Sequence, residues 1–154
     1  MFDNAAVNAL VASVESIAMQ LGIFETVNFH EPKSPPGSGT RLAIWVQEIS
    51  PLAGASGLAS TSGYVVLTAQ VYGNMLQKPE DQVDPAMMTA ATALIGAFSA
   101  DFTLGGTVRN IDLLGSYGQH LAAQAGYVSV GSQMYRVMTI TIPCIVNDMW
   151  SQVP

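Results

Sequence analysis

Charged side chains are scarce in this sequence, where they make up 10% of the residues against roughly 25% in an average globular domain. Hydrophobic residues reach 49% and the mean hydropathy is +0.34. Long apolar runs are also missing: the longest uncharged stretch, 49–77, is interrupted by Gly, Ser, Thr and Asn, whereas a membrane-spanning helix needs ~20 apolar residues. This combination indicates a surface partly covered by other protein. The alternative is a monomer kept in solution by neutral polar side chains.

Basic residues are fewer still. Five Lys and Arg face eleven Asp and Glu, which gives a formal charge of −6. A protein that binds nucleic acid through the phosphate backbone needs a basic footprint. The sequence therefore argues against nucleic-acid binding, and its acidic surface would repel DNA.

Residues that carry chemistry are almost absent. Cys144 is the only cysteine, which excludes an internal disulfide and a cysteine-based metal cluster, and its apolar neighbours predict a buried thiol. The two histidines, His30 and His120, lack a second His or Cys at metal-ligand spacing. We therefore expect no metal, no cofactor and no enzymatic activity. A cleft that uses one of the histidines for ligand binding or catalysis is the alternative.

The amino terminus has no basic region before its first apolar residues and carries Asp3. This is not the pattern of a secretory signal peptide. The expectation is a protein that folds in a cytoplasm.

Two helices are predicted. In the first, Asp3 is a candidate N-cap and Gly22 a candidate C-terminal glycine; its apolar stripe comprises Val7, Leu10, Val11, Val14, Ile17, Ala18 and Leu21. The second begins at Asp84-Pro85, an N-cap followed by proline at the first helical position, and ends near 99–101. Its stripe comprises Met88, Ala91, Leu94, Ile95 and Phe98.

Strands are predicted at 24–31, 42–49, 64–72 and 108–113, with a hairpin formed by 126–130 and 134–146. Alternation is clearest in 64–72, where Val65, Leu67, Ala69 and Val71 share one face. Pro143 lacks an N–H, which places the last strand at an edge or bends it there. The order of elements predicts one α+β domain, 1–154, with a mainly antiparallel sheet and two principal helices on one face.

Two loops are rich in small residues. The segment 33–40 has two prolines and two glycines, and 51–62 contains no charge, which an ordered contact with a neighbouring subunit would explain. Aromatic residues are common interface anchors, although each is also a candidate for the core. From aromatic placement and loop composition, the interface candidates are Trp45, Leu52, Leu58, Tyr64, Tyr72 and Trp150.

Several segments together resemble one protein family. They are EPK at 31–33 leading into AIWV at 43–46, DPAM at 84–87, DFTLGGTVRNID at 101–112, AGY at 125–127, YRVMT at 135–139 and IP at 142–143. In order and texture they resemble the tail terminator (tail-completion) proteins of siphophages, above all of phages that infect actinobacteria. The similarity extends over nearly the whole chain and includes no catalytic motif.

The resemblance implies a structural virion protein that assembles in the host cytoplasm into a ring, expected to be a hexamer. Such a ring caps the tail tube at the tail–neck junction, stops tube polymerisation and joins the tail to head-completion proteins, while genomic DNA passes through the lumen unbound. Glu80, Asp81 and Asp84 are candidates to line that lumen. They are otherwise a solvated acidic cluster that complements the dipole of the second helix, or a calcium site without the usual alternating spacing. A head–tail connector or stopper subunit is the neighbouring alternative.

Overall fold

The computed structural model describes residues 4–24, 26–28, 40–52, 59–74, 83–130 and 133–152. The elements are α1 (Asn4–Gln20), β1 (Thr26–Asn28), β2 (Arg41–Pro51), β3 (Ser60–Asn74), α2 (Val83–Ala100), β4 (Asn110–Ile111), β5 (Ala122–Val130) and β6 (Gln133–Ser151). The α+β fold with two helices and a mostly antiparallel sheet is confirmed. Neither described helix is long and apolar enough to cross a membrane.

The six strands form one sheet in the order β1-β2-β3-β6, and both β4 and β5 pair with the far side of β6. Only β1 and β2 run parallel; every other pair is antiparallel. The sheet is therefore mixed, and the long strands β3 and β6 form its centre.

Both helices pack on one face of this sheet, as expected. Leu10, Val14 and Ala18 of α1 are buried on the same core as Leu67 and Ala69 of β3. Gly22 follows α1 with φ 69°, which is the left-handed conformation that ends helices and that glycine adopts without strain. The predicted stripe of α1 and the predicted inward face of β3 are thus confirmed.

The stripe of α2 is displaced by one residue at its start. Met87 is 2% exposed while Met88 is 62% exposed, so the assignment of Met88 to the core was wrong. Leu94 and Phe98 are fully buried, and Met87 lies seven positions before Leu94. Met87 and Met88 are equally apolar, so residue type alone could not tell which of them lies on the buried face with Leu94 and Phe98.

Pro143 predicted either an edge strand or a bend; the edge position is wrong, since β6 pairs with β3 on one side and with β4 and β5 on the other. The last pair with β5 is Thr141–Ala122 and the first with β4 is Cys144–Ile111, so Pro143 occupies the break between them. Its carbonyl accepts the N–H of Asp112 at 2.8 Å. Because a residue's N–H and C=O leave a strand on the same side, the missing donor faces this break and no ladder bond is lost.

A bulge shapes the end of β6. Register with β3 passes from Trp150 opposite Thr61 to Val146 opposite Gly63, and Asp148 in between has φ 52°. The Ser60 hydroxyl donates to the Asp148 carboxylate. A side chain at Gly63 would collide with the sulfur of Met149, so the absence of a Cβ there lets the bulge close onto β3.

Candidate interaction surfaces

The loop after β4 folds around the side chain of Asp112, which is 3% exposed. One carboxylate oxygen accepts the backbone N–H of Ser116 at 2.7 Å, and the other accepts that of Tyr117 at 2.9 Å. The Tyr64 hydroxyl on β3 lies 3.3 Å from the second oxygen and 2.8 Å from the carbonyl oxygen of Gln119. A single buried carboxylate therefore fixes the loop 112–120 against the sheet face that carries no helix.

The Tyr64 hydroxyl acts as a hydrogen-bond donor in this network. Burial, followed by the nearby Asp112 carboxylate, raises the pKa of Tyr64 to about 12. The phenol therefore stays protonated at neutral pH and remains a hydrogen-bond donor to the loop. The Gln119 amide also donates to the Glu48 carboxylate at 3.1 Å, which ties the loop to β2.

The rigid loop and the turn before β4 display apolar side chains to solvent. Leu114 is 92% exposed, Phe102 46% and Tyr117 38%. The Phe102 carbonyl accepts the N–H of Ile111, so the turn is fastened to β4. We call the exposed residues that flank β4 in the sequence, Phe102, Arg109, Leu114 and Tyr117, the β4 patch. Leu114 in particular lies on a loop in which Asp112 accepts two backbone N–H groups.

A groove of about 510 Å³ lies elsewhere, between α1 and the outer edge of β2. Its lining comprises Val7, Asn8, Val11, Ala12, Glu15, Ile44, Trp45 and Val46. Because β1 pairs with β2 only along 41–43, no strand among the described residues pairs with the outer edge of β2 beyond this point. We call this feature the α1–β2 groove.

Charge is unevenly placed between these two surfaces. Arg109 is exposed, whereas Arg41 and Arg136 are half-buried, and the guanidinium of Arg136 lies 4.6 Å from the ring centre of Tyr127. Arg109 is thus the one exposed basic side chain within the described ranges. Glu15 lines the α1–β2 groove.

His120 is exposed and one ring nitrogen lies 3.2 Å from the Leu121 carbonyl oxygen; His30 lies outside the described residues. Within the part of the chain that the structure describes, no three His, Cys, Asp or Glu side chains are grouped to hold a metal ion.

The interface candidates occupy different environments. Tyr64 and Tyr72 are 6% and 2% exposed, so they belong to the subunit's own interior, which was the alternative for every aromatic. Trp45 and Trp150 are half-buried; Trp45 lines the α1–β2 groove, and Trp150 packs against the main core. Leu52 is half-buried against Tyr64.

The remaining candidates fall at or beyond the limits of description. Leu58, Glu80 and Asp81 lie outside the described residues. Asp84 lies in the first turn of α2, which starts at Val83, one residue before the predicted N-cap. The assignment of these acids to a lumen stays a prediction.

Sequence reasoning missed the residues that stand out most. Leu114 and Arg109 drew no attention because a single exposed leucine or arginine in a loop has no periodicity. A signal was present: Asp112 begins the stretch DLLGS, and Asp, Gly and Ser are residues typical of turns, in which an aspartate side chain often accepts nearby backbone N–H groups. The partner Tyr64 is distant in sequence, so no local pattern indicated it.

Cys144 gives a prediction for the core. Burial raises the pKa of its thiol to about 12, and only the thiolate reacts with disulfide reagents. We expect labelling by a thiol reagent at pH 8 to be at least about 100-fold slower in the folded protein than in denaturant, since the site must open before it reacts. Because Cys144 is the only cysteine, the labelling time course reads this site alone. Equal rates would show that β6 is not packed as described.

Comparison with known proteins adds no assignment. No protein-family model matches the chain, and no curated protein matches it in sequence.

Proposed function

We propose that this protein is a tail terminator subunit of a long-tailed bacteriophage. It assembles into a ring, expected to be a hexamer, that binds the end of the tail tube, stops its polymerisation and presents a surface to the head-completion proteins. In this role it acts by geometry and not by catalysis, and DNA passes through the ring without specific binding.

The observation that carries the proposal is the number of exposed hydrophobic side chains on a protein with few charged residues. In a chain with 10% charged residues, eight large hydrophobic side chains among the described residues are more than a third exposed: Met19, Ile23, Ile49, Met88, Phe102, Leu114, Tyr117 and Tyr127. Combined with the scarcity of charge, this exposure supports a surface that other subunits cover, because the centres of interfaces are depleted in charged residues. The sequence resemblance to tail terminators supplies the kind of assembly.

Two further features support the proposal. The net charge of −6 suits a lumen that must not trap DNA, because like charges repel. The α+β fold, with loops anchored on a firm sheet, suits a ring subunit that presents different surfaces to a tube and to a neck.

The test is the capping of purified tail tubes. We expect light scattering and electron microscopy to show tubes that stop elongating, with a ring at one end and at a ratio of about one ring per tube. Because capping acts at an end, the amount needed should follow the number of tubes and not their total length. Binding along the tube wall would contradict this mechanism.

The same preparation separates the alternative. A subunit that leaves tubes free to elongate but binds the portal-side rings would be a connector or stopper. A subunit that binds neither, and instead binds a small molecule, would belong to the ligand-binding class.

A further inference from the structure

We propose that adjacent copies of this chain bind head to tail, with Leu114 of the β4 patch seated in the α1–β2 groove of the next copy and Arg109 paired with Glu15 there. The occupant of the groove is thus a second copy of the chain. The inference deepens the proposed ring, and it rests on that function for its biological meaning.

The two surfaces lie on opposite sides of the subunit. The groove borders the outer edge of β2, whereas β4 pairs with β6, and β3 and β6 separate the two edges. The two surfaces also lie on different flanks of α1. The Ser13 hydroxyl lies 2.9 Å from the Thr107 hydroxyl, in the turn before Arg109, whereas Glu15 lines the groove. Two positions along a helix correspond to about 200° of rotation, so these side chains leave opposite flanks.

Shape and polarity agree as well. Leu114 is 92% exposed on a loop held by Asp112. Because the loop is already ordered, binding a partner costs little further conformational entropy. Val7 and Val11 provide the groove with apolar walls, and its volume of about 510 Å³ is several times that of a leucine side chain. A preformed projection and a preformed apolar recess are the usual anchor and pocket of an interface.

Charge selects the pairing. Acidic subunits repel one another, and a cation at the contact reduces this repulsion; among the described Lys and Arg residues, Arg109 is the exposed one. The groove contributes a carboxylate through Glu15. Placing Arg109 of one copy at Glu15 of the next brings opposite charges together at the rim, where they direct orientation more than they add affinity.

An interface made from two different surfaces of one chain is heterologous. Repeated rotation by the same operator gives a ring when the rotation closes and a filament when it does not. The placement of both surfaces on opposite edges of one sheet is therefore compatible with a closed ring of identical subunits.

The decisive experiment mixes two defective variants. Leu114→Glu removes the projection and keeps the groove; Ala12→Glu obstructs the groove at an exposed helical position and keeps the projection. Each alone should raise the dissociation constant of self-association at least about tenfold. Mixed together, they should form a dimer and nothing larger, because one intact projection and one intact groove remain.

Charge reversal tests the orientation. Arg109→Glu and Glu15→Arg should each weaken self-association by about tenfold, and the double variant should recover most of the loss. Thr89→Glu is the matched control: Thr89 is exposed on α2, outside both surfaces, and this variant should self-associate as the wild type does. Thermal unfolding of each variant confirms that the fold is kept.

Several results would overturn the proposal. The first is a wild-type chain that stays monomeric up to its solubility limit. The second is that variants of the two surfaces lose tube binding but keep self-association. The third is that Ala12→Glu lowers the stability of the subunit and leaves self-association intact. The last would show that the chain's own residues fill the groove. If the wild-type chain self-associates but does not cap tubes, the terminator function is rejected and the proposed interface is retained.

Discussion

Replacing Phe98 with alanine should lower the free energy of unfolding by about 3–5 kcal/mol. Phe98 is fully buried on α2 within the core shared by both helices and the sheet. Its removal forfeits the burial of an aromatic ring and leaves a cavity that the surrounding β-sheet cannot collapse to fill. Urea or guanidinium unfolding followed by circular dichroism measures the loss.

Phe102→Ala provides a control four positions further along the chain. Phe102 is 46% exposed, so the same truncation should change the free energy of unfolding by less than about 1 kcal/mol. Equal losses at the two positions would show that the helix is rotated or ends elsewhere. Phe102 also belongs to the β4 patch, so this variant should weaken self-association while the subunit stays folded.

Replacing Asp112 with alanine should cost about 2–4 kcal/mol of stability. The carboxylate accepts two backbone N–H groups and contacts the Tyr64 hydroxyl, and hydrogen bonds to a buried charged group are each worth more than neutral ones. Tyr64 keeps the Gln119 carbonyl as an acceptor, so the backbone donors of Ser116 and Tyr117 bear most of the loss. Chemical unfolding gives the free energy, and amide exchange at 113–120 locates it.

Asp101→Ala is the control for Asp112→Ala, because Asp101 closes a turn near the surface. The Asp101 carboxylate accepts one backbone N–H, that of Gly105 at 3.0 Å, near the surface, where water replaces a lost partner. Its replacement should cost less than about 1 kcal/mol. A similar cost at both positions, or unchanged amide exchange in the loop of Asp112→Ala, would contradict the role assigned to Asp112. Because that loop carries Leu114, Asp112→Ala should also weaken self-association.

Much of the framework follows from local pattern. The stripe of α1, the alternation of β3 and the hairpin of β5 and β6 reflect the two side-chain periods of helix and strand, which a short window of sequence reveals. The strand predicted at 108–113 is shorter in the structure, Asn110–Ile111, although the backbone N–H groups of Arg109 and Asp112 on either side also donate to carbonyls of β6. Boundaries of this kind depend on which carbonyls of β6 remain available.

Features that depend on contacts between distant segments could not be predicted from the sequence. The contact of Tyr64 with Asp112, the position of β6 at the centre of the sheet, and the groove between α1 and β2 arise only when distant segments meet. No helical or strand period encodes them. The two candidate surfaces consist of such features, so local sequence patterns indicate the fold more completely than they indicate these surfaces.

The pairing of β3 with β6 has a consequence for how the chain folds. Register partners range from Asn74 with Tyr135 to Ser60 with Ser151, so the two longest strands close large loops before they gain their ladder bonds. Loop closure of this kind raises the folding barrier and slows folding. During synthesis, β3 emerges well before its partner and presents an unpaired, apolar edge that is prone to association with other nascent chains. The pairing of β3 with β6 can therefore form only after β6 has left the ribosome, and the yield of folded subunits should fall as the temperature or rate of expression rises.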